Sequence, residues 1–455
     1  MTEKHGLTRR QAIPLAIGSV AGSGILFLPS AVYVAAGRNS LLVWALATVL
    51  CLPMLLMFED MVRSNPDGRG IEAFIREGLG DAFARCVPVL FLSLVIIGLP
   101  AGTLVAGRYV GHALHTGRLV EVLAAVSVLL AALASNLFGV KTNTRLQTAT
   151  TWALVAMATV LLVSALPATR GGLGTVNPDT ADLGVVLPAV ILAFWAFAGF
   201  ENLTFLSREF RDPERDFLPV SVIALGVYGL FTILLTVAIA VRLDRADVDQ
   251  VAGLLQLAGT IEPHQLVTLC VTAIALFAMT LNAVAWVWGV SRLVAQAGSH
   301  RILPAGLAVV SADGVPRRAL LLLAVLFAAT TSVLVGYPGL LVDAVATASA
   351  IFILMYLLSI VSYVRIRGLT VRSAPNLLLL VVMVISLVES GWRTVYGLVV
   401  LAGALATQLI RRRRLASAAD QASAPAVADQ ASAPAVADQA SAPAAQQRSI
   451  DGPHR

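Results

Sequence analysis

AIGSVAGSGILFLPS, residues 16 to 30, and ILAFWAFAGFENLTFLS, residues 191 to 207, are apolar runs broken at comparable places. Gly18, Gly22 and Gly24 interrupt the first, Gly199 and Glu201 the second. A segment that only crosses lipid gains nothing from clustered glycines or a central carboxylate. Unwound backbone at membrane depth leaves N–H and C=O groups without partners, and these are tolerated only around a polar cavity. The pair of interruptions therefore predicts a solute site between the helices of a membrane protein.

Composition agrees. Of 455 residues, 58% are apolar and 13% charged, with mean hydropathy +0.84, whereas a soluble domain is about half apolar and about one quarter charged. A helix needs about 20 apolar residues to cross a bilayer. Twelve such runs are predicted, at 11–36, 40–62, 85–107, 119–138, 146–167, 184–206, 217–241, 265–295, 318–336, 339–363, 374–390 and 393–410. The fold class is all-α, a polytopic membrane protein with its transmembrane domain over 1–414 and a tail over 415–455. From Ala419 the tail repeats an ADQASAPAV-like unit, a low-complexity pattern expected to be disordered.

Lysines and arginines concentrate in the loops of one side when both termini are cytoplasmic, which sets the orientation. This bias accounts for the net charge of +6 without a nucleic-acid partner. Lys4, Arg9 and Arg10 precede a run too long for a signal peptide, so it is read as the first spanning helix. Cys51, Cys86 and Cys270 read as small buried hydrophobes, and the H-x-x-H pair His112 and His115 has no further ligand nearby in sequence. Neither a metal nor a cofactor is expected.

If helices 1 to 5 and 6 to 10 are two copies, each interrupted segment opens one copy. Five helices per copy invert the second, and helices 11 and 12 are peripheral. The loop NPDGRGIEAFIREGLG (65–80) predicts a short interfacial helix through Ile71, Phe74 and Ile75. The loop SREFRDPERDFLPVS (207–221) interleaves charges and reads as a solvated turn.

At Gly22, Ser23, Gly24 and Ile25 the helix can break and restart, leaving a helix N-terminus whose unpaired N–H groups suit a carboxylate. Ser23 adds a hydroxyl. Between Ala196 and Gly199, across Phe197 and Ala198, the carbonyls of a helix end suit an ammonium group. The two ends together would hold an amino acid zwitterion, with Trp195 and Phe197 flanking the break and closing over it. A carboxylate at mid-membrane titrates, pairs or faces water, so Glu201 is the proton-coupling or gating candidate, with a structural hydrogen bond as its rival. Asn202 and Asn282 join it as coupling or gating candidates. The only lysines, Lys4 and Lys141, lie outside the predicted spans, and helix 8 lacks adjacent hydroxyls for a sodium cage. Protons are therefore the favoured ion. No counter-charge flanks the breaks, which points to a neutral, apolar side chain. No nucleophile stands beside a base, which argues against an enzyme. A receptor built on a transport fold stays open as an alternative.

GSGI (22–25), NPDGRGIEAF (65–74), FAGFEN (197–202) and EFRDPERD (209–216) resemble the amino acid, polyamine and organocation (APC) transporters over nearly the whole chain. SREFRDPERDFLPVS, ASAIFILMYLLS (348–359) and SGWRTVYGLVVLAG (390–403) resemble its bacterial branch that exports methionine and branched-chain amino acids. The resemblance implies two inverted five-helix repeats, placement in a bacterial inner membrane, and alternating access by rocking of helices 1, 2, 6 and 7 against 3, 4, 8 and 9. It implies carboxylate binding at Gly22, Ser23 and Gly24, a substrate-covering role for Trp195, and gating or proton sensing at Glu201. Some members carry a helix 5 lysine at the cation position, and this chain has none. An importer or exchanger of other amino acids stays open beside the exporter.

Overall fold

The computed structural model describes residues 6–20, 22–64, 70–139, 144–165, 181–197, 199–201, 203–204 and 210–423. The predicted first span is two helices, α1 (Arg9–Val20) and α2 (Ser23–Ala36), and a 3-10 turn (Gly37–Asn39) leads into α3 (Ser40–Ser64). There follow α4 (Gly70–Leu79), α5 (Asp81–Ala84), α6 (Val87–Leu114), α7 (Arg118–Leu137) and α8 (Thr144–Ala165). The second interrupted segment gives α9 (Leu183–Phe194) and a 3-10 turn (Trp195–Phe197). Then come α10 (Pro213–Arg242), α11 (Gly253–Ala258), α12 (His264–Ser299), α13 (Arg317–Gly336), α14 (Leu340–Arg367), α15 (Ala374–Glu389) and α16 (Trp392–Ser423).

Among the described residues nine helical stretches are long and apolar enough to cross a membrane, with Leu183–Phe197 and Ala374–Glu389 as shorter apolar helices. Their outward faces carry Leu119, Leu123 and Leu130 on α7, Leu321, Val325 and Val333 on α13, and Val381, Val384 and Val388 on α15. Water would punish so broad an apolar surface, whereas hydrocarbon solvates it. The apolar window of α14 is 83% buried inside the protein and that of α16 only 22%, so α14 is central and α16 peripheral. Cys270 is exposed on α12 and is not the buried hydrophobe its setting predicts.

The expectations for the two loops are refined. Helix α4 exists, but Ile71, Phe74 and Ile75 are buried in protein and not laid on a lipid surface. The Phe74 ring lies 6.1 Å from that of Tyr363 on α14. A Cβ on Gly78 would stand 2.5 Å from Ser362 Cα, so glycine is what lets α4 approach α14 this closely. In the segment after helix 6 Arg211, Asp212, Glu214 and Arg215 are exposed, as a solvated turn requires, and the segment is also tied to the N-terminal residues. Leu7 and Phe210 form a parallel bridge, and Arg9 donates twice to Asp216 Oδ1, at 3.0 and 2.8 Å. Asp212 caps α10 by accepting from the Arg215 N–H, Pro213 occupies its first turn, and Glu214 and Asp216 complement its positive end.

Residues Met1–Gln408 form one compact unit. The second, Leu409–Arg455, is described only to Ser423, as the end of α16. That helix runs past Arg414, where the tail is predicted to begin, because the alanines of LASAADQAS favour helix. Lys4, Lys141 and the repeats beyond Ser423 lie outside the described residues.

Candidate functional site

Gly22 is the N-cap residue of α2, with φ −106° and ψ −138°, and its N–H turns back to the carbonyl of Val20, the last residue of α1, at 2.8 Å. Helix α2 restarts at Ser23, and the first turn of any helix has N–H groups with no carbonyl four residues back. A Cβ on Gly22 would stand 3.0 Å from Asn282 Oδ1, so the Asn282 amide lies against the break. A Cβ on Gly24 would stand 3.0 Å from Ala196 Cα. The two interruptions, far apart in sequence, therefore touch at Gly24 and Ala196.

At the second break the chain tightens into the Trp195–Phe197 turn and then passes through Gly199 at φ +121°, where a side chain would be strained. Glu201, 1% exposed, folds back onto this turn. Its Oε2 accepts from the Gly199 N–H at 3.0 Å and from the Tyr356 hydroxyl at 2.6 Å. Its Oε1 is buried with no partner among the described residues. The Thr204 hydroxyl donates to the Glu201 carbonyl at 2.6 Å. One oxygen of the carboxylate is thus saturated with donors, and the other is free to carry a proton.

Beside the breaks lies a cavity of about 30 Å³, room for a few waters at most and too small for an amino acid. Leu94, Gly98 and Thr103 of α6 form one wall, and Met279, Asn282 and Trp286 of α12 another, with Trp195 between them. A Cβ on Gly98 would stand 2.4 Å from Trp195 Cη2, so this glycine is the notch that receives the indole edge. The other side of Trp195 meets Phe352 edge-on at 6.2 Å. Phe352 also meets Trp286 edge-on at 6.1 Å and stacks on Tyr356 at 6.1 Å. Aromatic contact therefore runs unbroken from the cavity wall to the hydroxyl that holds Glu201.

Of the residues singled out by sequence, Trp195 and Asn282 line the cavity, Gly22 adjoins it through Asn282, and Gly24 packs on Ala196. Ile25 is buried in the first turn of α2. Phe197 is packed edge-on between Trp44 at 6.3 Å and Tyr228 at 5.9 Å and is not part of the cavity wall. Ala198, Asn202 and the Ser23 side chain lie outside the described residues. Sequence reasoning missed the α6 wall and, on α12, Met279 and Trp286, although GLPAG at 98–102 is a glycine cluster in an apolar run like the other two. It also missed Tyr356.

A second buried polar cluster closes the far end of α3. Arg372 donates to Glu59 at 2.9 Å and to Asp60 at 2.6 Å, Arg63 donates to Glu59 at 2.8 Å, and Tyr363 to Asp60 at 2.6 Å. Two adjacent carboxylates, 3% and 8% exposed as residues, are held by two guanidinium groups and a phenol. Among the described residues no group of His, Cys, Asp and Glu could hold a metal ion.

The amino acid permease family matches residues 7–405. The L-methionine/branched-chain amino acid exporter YjeH of Escherichia coli (strain K12) is 29% identical over 421 residues, 88% of this chain and 95% of its own length. The serine/threonine exchanger SteT of Bacillus subtilis (strain 168) is 25% identical over 227 residues, 47% of this chain and 50% of its own. The b(0,+)-type amino acid transporter 1 of Homo sapiens is 26% identical over 225 residues, 46% of each chain. Broken helices meeting at an aromatic-walled cavity and a family match over nearly the whole chain lead to one conclusion: the chain belongs to the amino acid permeases of the APC superfamily, which are transporters and not enzymes.

Proposed function

We propose that this permease exports methionine and branched-chain amino acids across a bacterial inner membrane, exchanging them for protons by alternating access. The observation that carries the reading is the meeting of the two breaks, where an α2 N-terminus and a buried carboxylate flank one small cavity. The lining carries no charged side chain, which favours a neutral, apolar substrate. The named exporter relative supports direction and specificity. Glu201, with one saturated and one open oxygen, is the proton carrier in this scheme.

The architecture proposed with it has twelve crossings in two inverted sets of five, plus α15 and α16, with both termini cytoplasmic. Pairwise packing supports the repeat. Helix α3 lies against α10 and α6 against α12, each against its counterpart. Contact of α1 with α10 is matched by α9 with α3, that of α8 with α12 by α14 with α6, and that of α7 with α12 by α13 with α6. Even the short helices correspond, since α4 packs on α14 and α11 on α8.

Counterflow of labelled methionine, leucine, isoleucine and valine into proteoliposomes tests the reading. Accumulation driven by preloaded unlabelled substrate is expected, and binding without flux would make the protein a receptor. Direction is tested in cells lacking the protein and fed methionyl dipeptides. They should accumulate methionine, and unchanged accumulation removes the export assignment.

A further inference from the structure

The cluster at the far end of α3 takes no part in the scheme above, yet it holds two adjacent carboxylates out of water. Glu59 and Asp60 each divide their two oxygens between partners in the same way. Glu59 Oε2 accepts from Arg372 at 2.9 Å, and its Oε1 accepts from Arg63, one turn on in the same helix, at 2.8 Å. Asp60 Oδ1 accepts from Arg372 at 2.6 Å, and its Oδ2 accepts from the Tyr363 hydroxyl of α14 at 2.6 Å. One guanidinium straddles both acids, and each acid keeps a second donor that does not depend on it.

That division makes the contact reversible. A buried carboxylate stripped of every donor is costly, whereas one that retains a donor and gains water loses only part of its stabilisation. If Arg372 leaves, Glu59 keeps Arg63 and Asp60 keeps Tyr363. Arg372 itself is already 43% exposed along its side chain, so solvent is ready to receive it. What then remains between α3 and α14 at this end is the phenol hydrogen bond and the Arg367 bond to Ser64 at the exposed rim, 2.8 Å.

The arm that carries Arg372 is stiff. It lies in the connection from α14 to α15, where Gly368 turns the chain at φ +68°. Ser373, fully buried, accepts from the Thr370 N–H at 2.7 Å and donates to the Gly368 carbonyl at 2.7 Å. Tyr356 and Tyr363 stand two turns apart on one side of α14. The first grips Glu201 at the second break and the second grips Asp60, so α14 joins the substrate level to this cluster.

We propose that Arg372 is the bolt of a releasable cytoplasmic gate. Its bridge to Glu59 and Asp60 holds the ends of α3 and α14 together, and its withdrawal lets substrate reach the breaks from the cytoplasm. The inference rests on the functional reading above for the side that this end faces. The bolt has to be an arginine, because an ammonium lacks the fork that spans two carboxylates.

Cys51 supplies the reporter. It is fully buried on α3, and Phe58, two turns further along the same side, meets Tyr356 of α14 edge-on at 6.0 Å. With Cys86→Ser and Cys270→Ser in every protein compared, Cys51 is the one thiol left. A membrane-impermeant maleimide is applied to the cytoplasmic face of inverted membrane vesicles. Arg372→Gln is expected to speed labelling of Cys51 by about tenfold, the effect of losing hydrogen bonds to charged groups on the closed population. Methionine transport measured from the same face should show a lower KM, because more of the protein is open, and a lower kcat, because closing is slower. Arg372→Lys should resemble the glutamine variant. The pair Glu59→Gln and Asp60→Asn removes the charges that draw the bolt and should speed labelling too, and it carries the test if Arg372→Gln does not insert. A cluster that only braces the fold would lower Tm while labelling and KM stay at the reference values, and that result overturns the proposal. Labelling needs no transport, so vesicles that move no amino acid sink the functional reading while the labelling comparison still decides the gate.

Discussion

The two helix breaks are made of the same material and finished differently. At Gly22 and Gly24 side chains are withheld, so the mouth of α2 is left with backbone donors and the unpaired hydroxyl of Tyr228. At Gly199 the chain supplies its own ligand: Glu201 folds back, takes the Gly199 N–H and is fastened to α14 by Tyr356. One break leaves donors unpaired, and the other satisfies itself. A carrier needs both, since a site that is all vacancy cannot hold its shape when empty and a site that is all self-contact cannot bind.

Making the second break resemble the first is the harshest test. Glu201→Ala strands the Gly199 N–H and the Tyr356 hydroxyl in a buried place, at about 1–3 kcal/mol for each orphaned group. Counterflow should fall below detection. Glu201→Gln keeps an acceptor for Tyr356, so it should preserve the fold and some exchange while flattening the pH profile of transport. A glutamine variant whose pH profile follows wild type would take Glu201 out of the coupling scheme.

Next comes the pair Gly199→Ala and Gly22→Ala. The first forces a side chain into φ +121°, a strain on the order of 1–3 kcal/mol. The second meets only the movable amide of Asn282 at 3.0–3.1 Å. Thermal unfolding in detergent should show a clear drop in Tm for Gly199→Ala and a smaller one for Gly22→Ala, whose main effect belongs in KM. Equal drops would mean that the two breaks are not built differently. The smallest effect is expected from Tyr356→Phe, which removes one hydrogen bond to Glu201 and should slow exchange several-fold, about 1–2 kcal/mol. Full activity in that variant would free Glu201 of its latch.

What the sequence made legible was local. Glycines and a carboxylate inside apolar runs cannot be hidden by tertiary structure, so Gly22, Gly24, Gly199 and Glu201 could be read directly. The helices themselves follow from hydropathy. The partner of Glu201 could not be read, because Tyr356 lies 155 residues away in ASAIFILMYLLS, a run marked by resemblance in which nothing local singles out the tyrosine. The Trp195 notch at Gly98 and the wall at Met279 and Trp286 depend on which faces meet, and apolar faces look alike in one dimension. Phe197 shows the reverse error. Its neighbour Trp195 lines the cavity, and one residue further than Ala196 the backbone has turned its ring toward Trp44 and Tyr228.

The cavity of about 30 Å³ has a meaning for leakage. A carrier that unloads its cargo must reset without cargo, and during that passage anything small enough to ride along dissipates the gradient that drives it. A chamber the size of a few waters, with an indole seated in a glycine notch, has no room for a hydrated ion or a stray metabolite. In the proposed cycle the return stroke would be kept tight by subtraction of space. For the proposed substrate to enter, Trp195 would have to leave its notch at Gly98, so the cargo that fills the chamber would also be what unlocks it.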